Sequence, residues 1–151
     1  MKRFRTIVFL LLALVGTAAT SPDRIIKVLP HLLDGEGRHS LSPSLYERDA
    51  YQAELRKHPG RVSGIRYDIQ WRHGGLNSTN GRLQMELRCA GLALTNSIVL
   101  ESDISKIRRH GGWTRVQLDG DAYQKAGKVI AWRARLVDGS LVLAEQRSFL
   151  W

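Results

Sequence analysis

The sequence predicts a mainly β protein, an antiparallel two-sheet sandwich with one added α-helix near residues 43–57, and three observations carry that prediction. From residue 62 onward apolar and polar residues alternate with a period of two, the signature of strands with one buried and one wet face. Asp138-Gly139 sits between two apolar runs as a hairpin turn. One segment alone, around residues 43–57, carries start and stop signals of a helix.

Residues 1–21 stand apart from that pattern. Lys2, Arg3 and Arg5 precede an unbroken apolar run from Ile7 to Val15, followed by Gly16, Thr17, Ala18 and Ala19. A charged start, a short apolar stretch and a small-residue exit match a secretory signal peptide, whereas a spanning helix needs roughly 20 apolar residues. The expectation is therefore an exported protein, periplasmic or extracellular, with residues 22–151 forming a single β-sandwich domain that carries an N-terminal helical insertion. Membrane attachment would require the leader to stay uncleaved, because Cys89, the single cysteine, lies far from the apolar run where a lipid anchor would sit.

The same leader changes the charge. It holds three basic residues and no acids, leaving 20 Lys and Arg against 14 Asp and Glu, a net charge of +6 rather than +9. These charges are spread from Arg24 to Arg147 without a dense block, which argues against nucleic acid and for a soluble basic surface. One cysteine excludes an intrachain disulfide, so about 130 residues must be held by packing.

Along the chain, Arg24 to Leu33 mixes apolar residues with Pro30 and shows no clear element, and Asp34-Gly35-Glu36-Gly37 reads as a turn. A nucleotide-binding glycine motif would need glycine at position 40, which is Ser40. Ser42-Pro43 starts the helix, Ser44 to Glu47 fits a capping box, and Lys57 and His58 before Pro59-Gly60 end it. Leu45, Tyr46, Ala50, Ala53 and Leu55 are expected to form its packing stripe. Ile65, Tyr67, Ile69 and Trp71 then alternate with polar residues, as do Leu83, Met85, Leu87 and Cys89, which makes Cys89 a small core residue rather than a nucleophile. Further strands are expected at 97–104, 113–118, 128–137 and 141–150, with Ile130, Trp132, Ala134 and Leu136 facing the core.

Ile69-Gln70-Trp71 followed by the strand Leu83 to Cys89, and later Leu118, Tyr123, Val129 and Ala131, resemble the second, third and penultimate strands of fibronectin type III and immunoglobulin-like modules. The resemblance covers residues 62–151. It implies an immunoglobulin-like sandwich and no active site, since such modules serve many binding and spacer roles.

The sharpest local oddity is a repeated tetrapeptide, Arg72-His73-Gly74-Gly75 and Arg109-His110-Gly111-Gly112. If strands alternate in direction, both copies and the Asp138-Gly139 turn share one end of the sandwich. The candidate ligand-binding rim is then Arg72, His73, Arg108, Arg109, His110 and Trp113, a cationic, glycine-rich edge suited to an anion. His31, His39, His58, His73 and His110 show no metal-ligand spacing, and the carboxylates Glu101, Asp103, Asp119 and Asp121 carry no context that marks an acid-base pair. No catalytic, cofactor-binding or metal-binding residue is assigned, and no cofactor is expected. Asn77-Ser78-Thr79 fits a glycosylation sequon. Of the four tryptophans, Trp71 and Trp132 are in phase with core faces, while Trp113 and Trp151 are candidates for exposure.

Three readings follow. The first is a non-enzymatic exported module, protein-interacting or structural, contacting another envelope or extracellular protein. The second is a carbohydrate or anionic-polysaccharide binder using the Arg-His-Gly-Gly loops. The third is a small outer-membrane barrel, suggested by the aromatic end Ser148-Phe149-Leu150-Trp151 but short of the ten-residue strands a barrel uses.

Overall fold

The computed structural model describes residues 23–74, 80–93, 96–104 and 111–151. The leader at 1–21, the sequon at 77–79 and the rim residues Arg108, Arg109 and His110 lie outside the described residues. The elements are β1 (Arg24–Leu33), α1 (Leu45–Lys57), a 3-10 turn at Pro59–Arg61, β2 (Gly64–Arg72), β3 (Gly81–Cys89), β4 (Ile98–Asp103), β5 (Gly112–Asp119), α2 (Gly120–Ala126), β6 (Val129–Asp138) and β7 (Leu141–Arg147). They form two antiparallel sheets, one in the order β1-β2-β5 and one in the order β4-β3-β6-β7. This is a mainly β, two-sheet sandwich.

Alternation decides the core. Ile65, Tyr67, Ile69 and Trp71 of β2 and Leu83, Met85, Leu87 and Cys89 of β3 are buried, joined by Val116, Leu118, Ala134 and Leu136. Trp132 is half-buried and meets Tyr67 edge-on, ring centroids 6.5 Å apart. Trp71 donates its indole N–H to Thr114 Oγ1 at 2.9 Å, so the one polar atom of this core indole is satisfied. Ile130 does not face the core as expected. Arg88 pairs with Ala131 and Cys89 with Val129, leaving Ile130 as the extra residue of a bulge and half exposed.

β1 is a strand that the sequence pattern hides, because Lys27, Pro30 and His31 interrupt its apolar residues and a register shift falls between Ile25 and Lys27. Among the described strands it pairs with β2 alone and so tolerates Pro30, whose missing N–H would break a central ladder. Its far edge is covered by α1. There Gln52 imitates a strand: its Oε1 accepts from the Leu32 amide at 2.8 Å, and its Nε2 donates to the carbonyls of Leu32 and His39, both at 2.9 Å. This geometry corrects the expected helix stripe. Leu45, Tyr46 and Ala50 are exposed, whereas Gln52 and Leu55 are buried and Tyr51 and Ala53 half-buried. A helix laid along a sheet edge meets unpaired backbone groups, so its packing face includes hydrogen-bonding side chains that an apolar-stripe rule overlooks. Its start also shifts, from the expected residue 43 to Leu45, with Ser44 as N-cap.

The 34–37 turn is present, with Gly37 at φ +74° and Asp34 at its base. α2 is a short helix absent from the sequence reading; it carries the chain from one sheet to the other, and Gly127, at φ +71°, ends it by donating its N–H to Tyr123 O at 2.8 Å. Gly139, φ +58°, makes the β6–β7 turn. β7 stops at Arg147, short of the expected residue 150. Ser148 still bonds Trp132, its amide donating to the Trp132 carbonyl at 2.9 Å, and the chain then turns. No helix among the described residues is long and apolar enough to cross a membrane.

Candidate functional site

Of the rim expected from the repeated tetrapeptide, Arg72, His73 and Trp113 lie among the described residues. In one sheet Trp71 pairs with Gly112, which sets the end of β2 beside the start of β5, and in the other Arg82 pairs with Asp103 and Gly81 with Asp138, which sets the ends of β4 and β6 beside the start of β3. Gly111 is needed there: its φ is +112°, and a Cβ would stand 2.2 Å from the carbonyl oxygen of Trp71. Arg72 is exposed at the end of β2. His73, however, is half-buried, its Nδ1 lying 2.8 Å from Asp23 Oδ1, which also accepts the Gly74 amide at 2.5 Å. Part of the expected cationic rim is thus engaged by an acid in tying down the start of β1.

Trp113 belongs to a different surface. It is 51% exposed and points from β5 onto the outer face of the three-stranded sheet, opposite Gln70. Beside it is a groove of about 340 Å³ between β5, β1 and α1, lined by Leu29, His31, His39, Arg48, Asp68, Trp113, Thr114 and Arg115. The β-sheet period sets the residues: Leu29 and His31, then Asp68, then Trp113 and Arg115, occupy the outer face on three neighbouring strands. The Asp34 turn brings in His39, and α1 brings in Arg48.

Asp68 organises the charges. Arg66 Nη2 donates to its Oδ2 at 2.7 Å, Arg115 Nε donates to Oδ1 at 3.4 Å, and His31 Nε2 lies 3.5 Å from Oδ2. Arg66 is 10% exposed at its side chain and also has Nη2 within 3.2 Å of His39 Nε2, while its Nε has no hydrogen-bond partner. The two imidazoles lie tilted at 56° to each other, with centroids 5.1 Å apart. Burial pushes the pKa of both below the ordinary histidine value; Asp68 opposes this at His31, while Arg66 adds to it at His39. At neutral pH the rings are uncharged, and the site holds three arginines against one carboxylate. Among the described residues Arg48 has no ion-pair partner.

Two other polar clusters are closed upon themselves. Asp34, beside a hollow of about 410 Å³, accepts the amides of Glu36 and Arg38, each at 2.9 Å, the Tyr51 hydroxyl at 2.6 Å and Arg38 Nε at 3.0 Å. Burial alone would raise its pKa, but these bonds outweigh it and hold the carboxyl well below the usual range. On the four-stranded sheet Glu86 accepts from Arg133 at 2.6 Å and from Ser97 at 2.8 Å, and the guanidinium groups of Arg88 and Arg133 stand 4.1 and 4.7 Å from the centroid of the Trp151 ring. Trp151 is therefore half-buried against the sheet rather than free. Cys89 is buried and its thiol pKa raised by burial. Among the described residues no three His, Cys, Asp or Glu gather to hold a metal ion.

The sequence pattern points to Trp113 as a rim residue and to no other residue of this groove. Arg66, Asp68 and Arg115 sit on recognisably wet faces, a usable signal, but His31 and His39 had no place without β1. Compared with known proteins, the chain matches no protein-family model, no curated protein and no solved structure.

Proposed function

We propose that this chain is an exported, non-enzymatic interaction module of the cell envelope that contacts another macromolecule through the outer face of its three-stranded sheet. The observation that carries the reading is Trp113: a large aromatic side chain half exposed on that face, next to an arginine-rich groove. Single exposed apolar residues are ordinary, but an indole at the mouth of a polar hollow is the composition of a recognition surface. Asp68, the carboxylate of the groove, has both oxygens engaged by arginines. Family membership is part of the proposal. With β1 counted first of the seven strands among the described residues, Trp71 falls on the second, Leu83 to Cys89 on the third and Val129 on the penultimate, an order that supports the fibronectin type III and immunoglobulin-like reading. β4 joins β3, unlike the constant-type arrangement in which the fourth strand pairs with the other sheet.

The second reading, an anionic-polymer binder, draws support from the same groove more than from the rim, where Asp23 already engages His73. To test the interaction reading, a photo-reactive phenylalanine analogue is placed at position 113 and, as a control, at Asp121 on exposed α2. Defined-mass adducts from 113 alone are expected after irradiation of intact cells. Adducts from both positions alike, or from neither, would refute the assignment of the face. Amino-terminal sequencing of the envelope fraction tests export: a chain retained in the cytoplasm with Met1 intact removes it.

A further inference from the structure

We infer that the groove between α1 and β5 binds a carboxylated saccharide, its ring stacked on Trp113 and its carboxylate held by Arg48 and Arg115. This rests on the reading of the outer sheet face as the working surface and names the chemistry that surface accepts.

Four features of the groove meet in one ligand class. The indole of Trp113 offers an apolar plane, which suits the C–H face of a sugar ring, and Leu29 adds apolar surface elsewhere in the groove. Arg48 has no ion-pair partner among the described residues, and Arg115 spends only its Nε on Asp68, at 3.4 Å, so two guanidinium forks on opposite walls remain open to an anion. Arg66, with its side chain 10% exposed, lies behind them as a fixed positive charge that Asp68 alone does not cancel. His31 and His39 line the groove with Nε2 turned to Asp68 and Arg66, so each ring keeps its Nδ1 for a sugar hydroxyl. The volume, about 340 Å³, is at the small end of ligand sites and admits one or two sugar units rather than a folded surface. A phosphate would satisfy the arginines and leave Trp113 without a role. A neutral sugar would use Trp113 and leave two arginines idle.

The test is titration of the purified exported protein with trigalacturonate, followed by tryptophan fluorescence and by NMR shifts of the indole and arginine side chains. Saturable binding is expected, with shifts confined to Trp113, Arg48, Arg115 and the two histidines. Methyl-esterified trigalacturonate, Arg48→Gln and Arg115→Gln should each weaken binding by about tenfold or more, as expected for removal of a charge-assisted bond. Trp113→Ala should abolish it. Arg48→Gln lies on a partly exposed helix position outside the sandwich core and keeps the test valid if Trp113→Ala unfolds. The inference fails if the methyl ester binds equally, if inorganic phosphate or a single-stranded oligonucleotide competes at equal concentration, if shifts map elsewhere, or if no saturation is reached at millimolar sugar. Failure here with the position-113 adducts intact overturns the ligand class alone; loss of those adducts overturns the face itself.

Discussion

Replacing Gln52 with alanine removes three hydrogen bonds at once, two to the backbone of Leu32 and one to the carbonyl of His39. Gln52 is 6% exposed, so the groups it leaves behind are poorly reached by water. At about 1 kcal/mol per lost bond, more where a donor stays buried without a partner, the expected loss is roughly 3 kcal/mol. That is a large share of the 5–15 kcal/mol by which a domain of this size is typically stable. Urea denaturation reads it as a lower midpoint at unchanged slope. Hydrogen exchange reads it locally, as lost protection of the Leu32 amide. Gln52→Leu fills much of the same volume yet restores none of the bonds, so it should fall close to alanine. Gln52→Glu keeps the acceptor for Leu32 N–H but sets a carboxylate oxygen against two carbonyls, so it should be at least as damaging at neutral pH and relieved by acid. If all three variants lie within about 0.5 kcal/mol of the parent and Leu32 exchange is unchanged, the edge of β1 is held by the packing of Leu33 and Leu55 and not by the amide.

The lowered pKa values of His31 and His39 predict that stability falls as pH drops below about 6.5, because the unfolded chain binds protons there that the folded chain refuses. Urea midpoints from pH 7.5 to 5 should show the slope, and His31→Gln with His39→Gln should flatten it; an identical slope in the double variant refutes the assignment. Asp34 and Glu86, held low, act in a separate window, losing their contribution only as pH falls below the ordinary carboxylate values of 3.8 and 4.5. Gly111→Ala should lower Tm by roughly 10 °C, since a Cβ would overlap the Trp71 carbonyl at a positive φ, whereas Gly35→Ala, with nothing within 4 Å, should leave Tm nearly unchanged. Trp71→Phe should cost about 1–3 kcal/mol by stranding the buried Thr114 hydroxyl, and adding Thr114→Val should recover part of it; no recovery would mean that lost packing dominates.

Legibility in the sequence followed the range of the interaction. The alternation in β2 and β3 is written in consecutive residues, and the structure buries the residues it marks. The same rule misplaced Ile130, because the bulge that turns it outward is a relation between β6 and β3. Tyr46 was given to the core of a helix stripe and is exposed, because α1 packs on a strand edge rather than on a sheet face. Trp113 and Trp151 are both candidates for exposure in the sequence; Trp113 is half exposed, in a groove with residues from β1, β2 and α1 rather than on a loop rim, and Trp151 is half-buried.

By itself the sequence determined the mainly β class, the helix that becomes α1, the Asp138-Gly139 hairpin and the lack of a partner for Cys89 in an intrachain disulfide, because periodicity, caps, turn residues and cysteine count are properties of neighbouring residues or of composition. Only the tertiary structure decided β1 and the groove. Leu32 finds Gln52 across 20 positions and Asp68 finds Arg115 across 47. Such pairings are selected by register and packing between elements, a physical quantity that no local pattern contains.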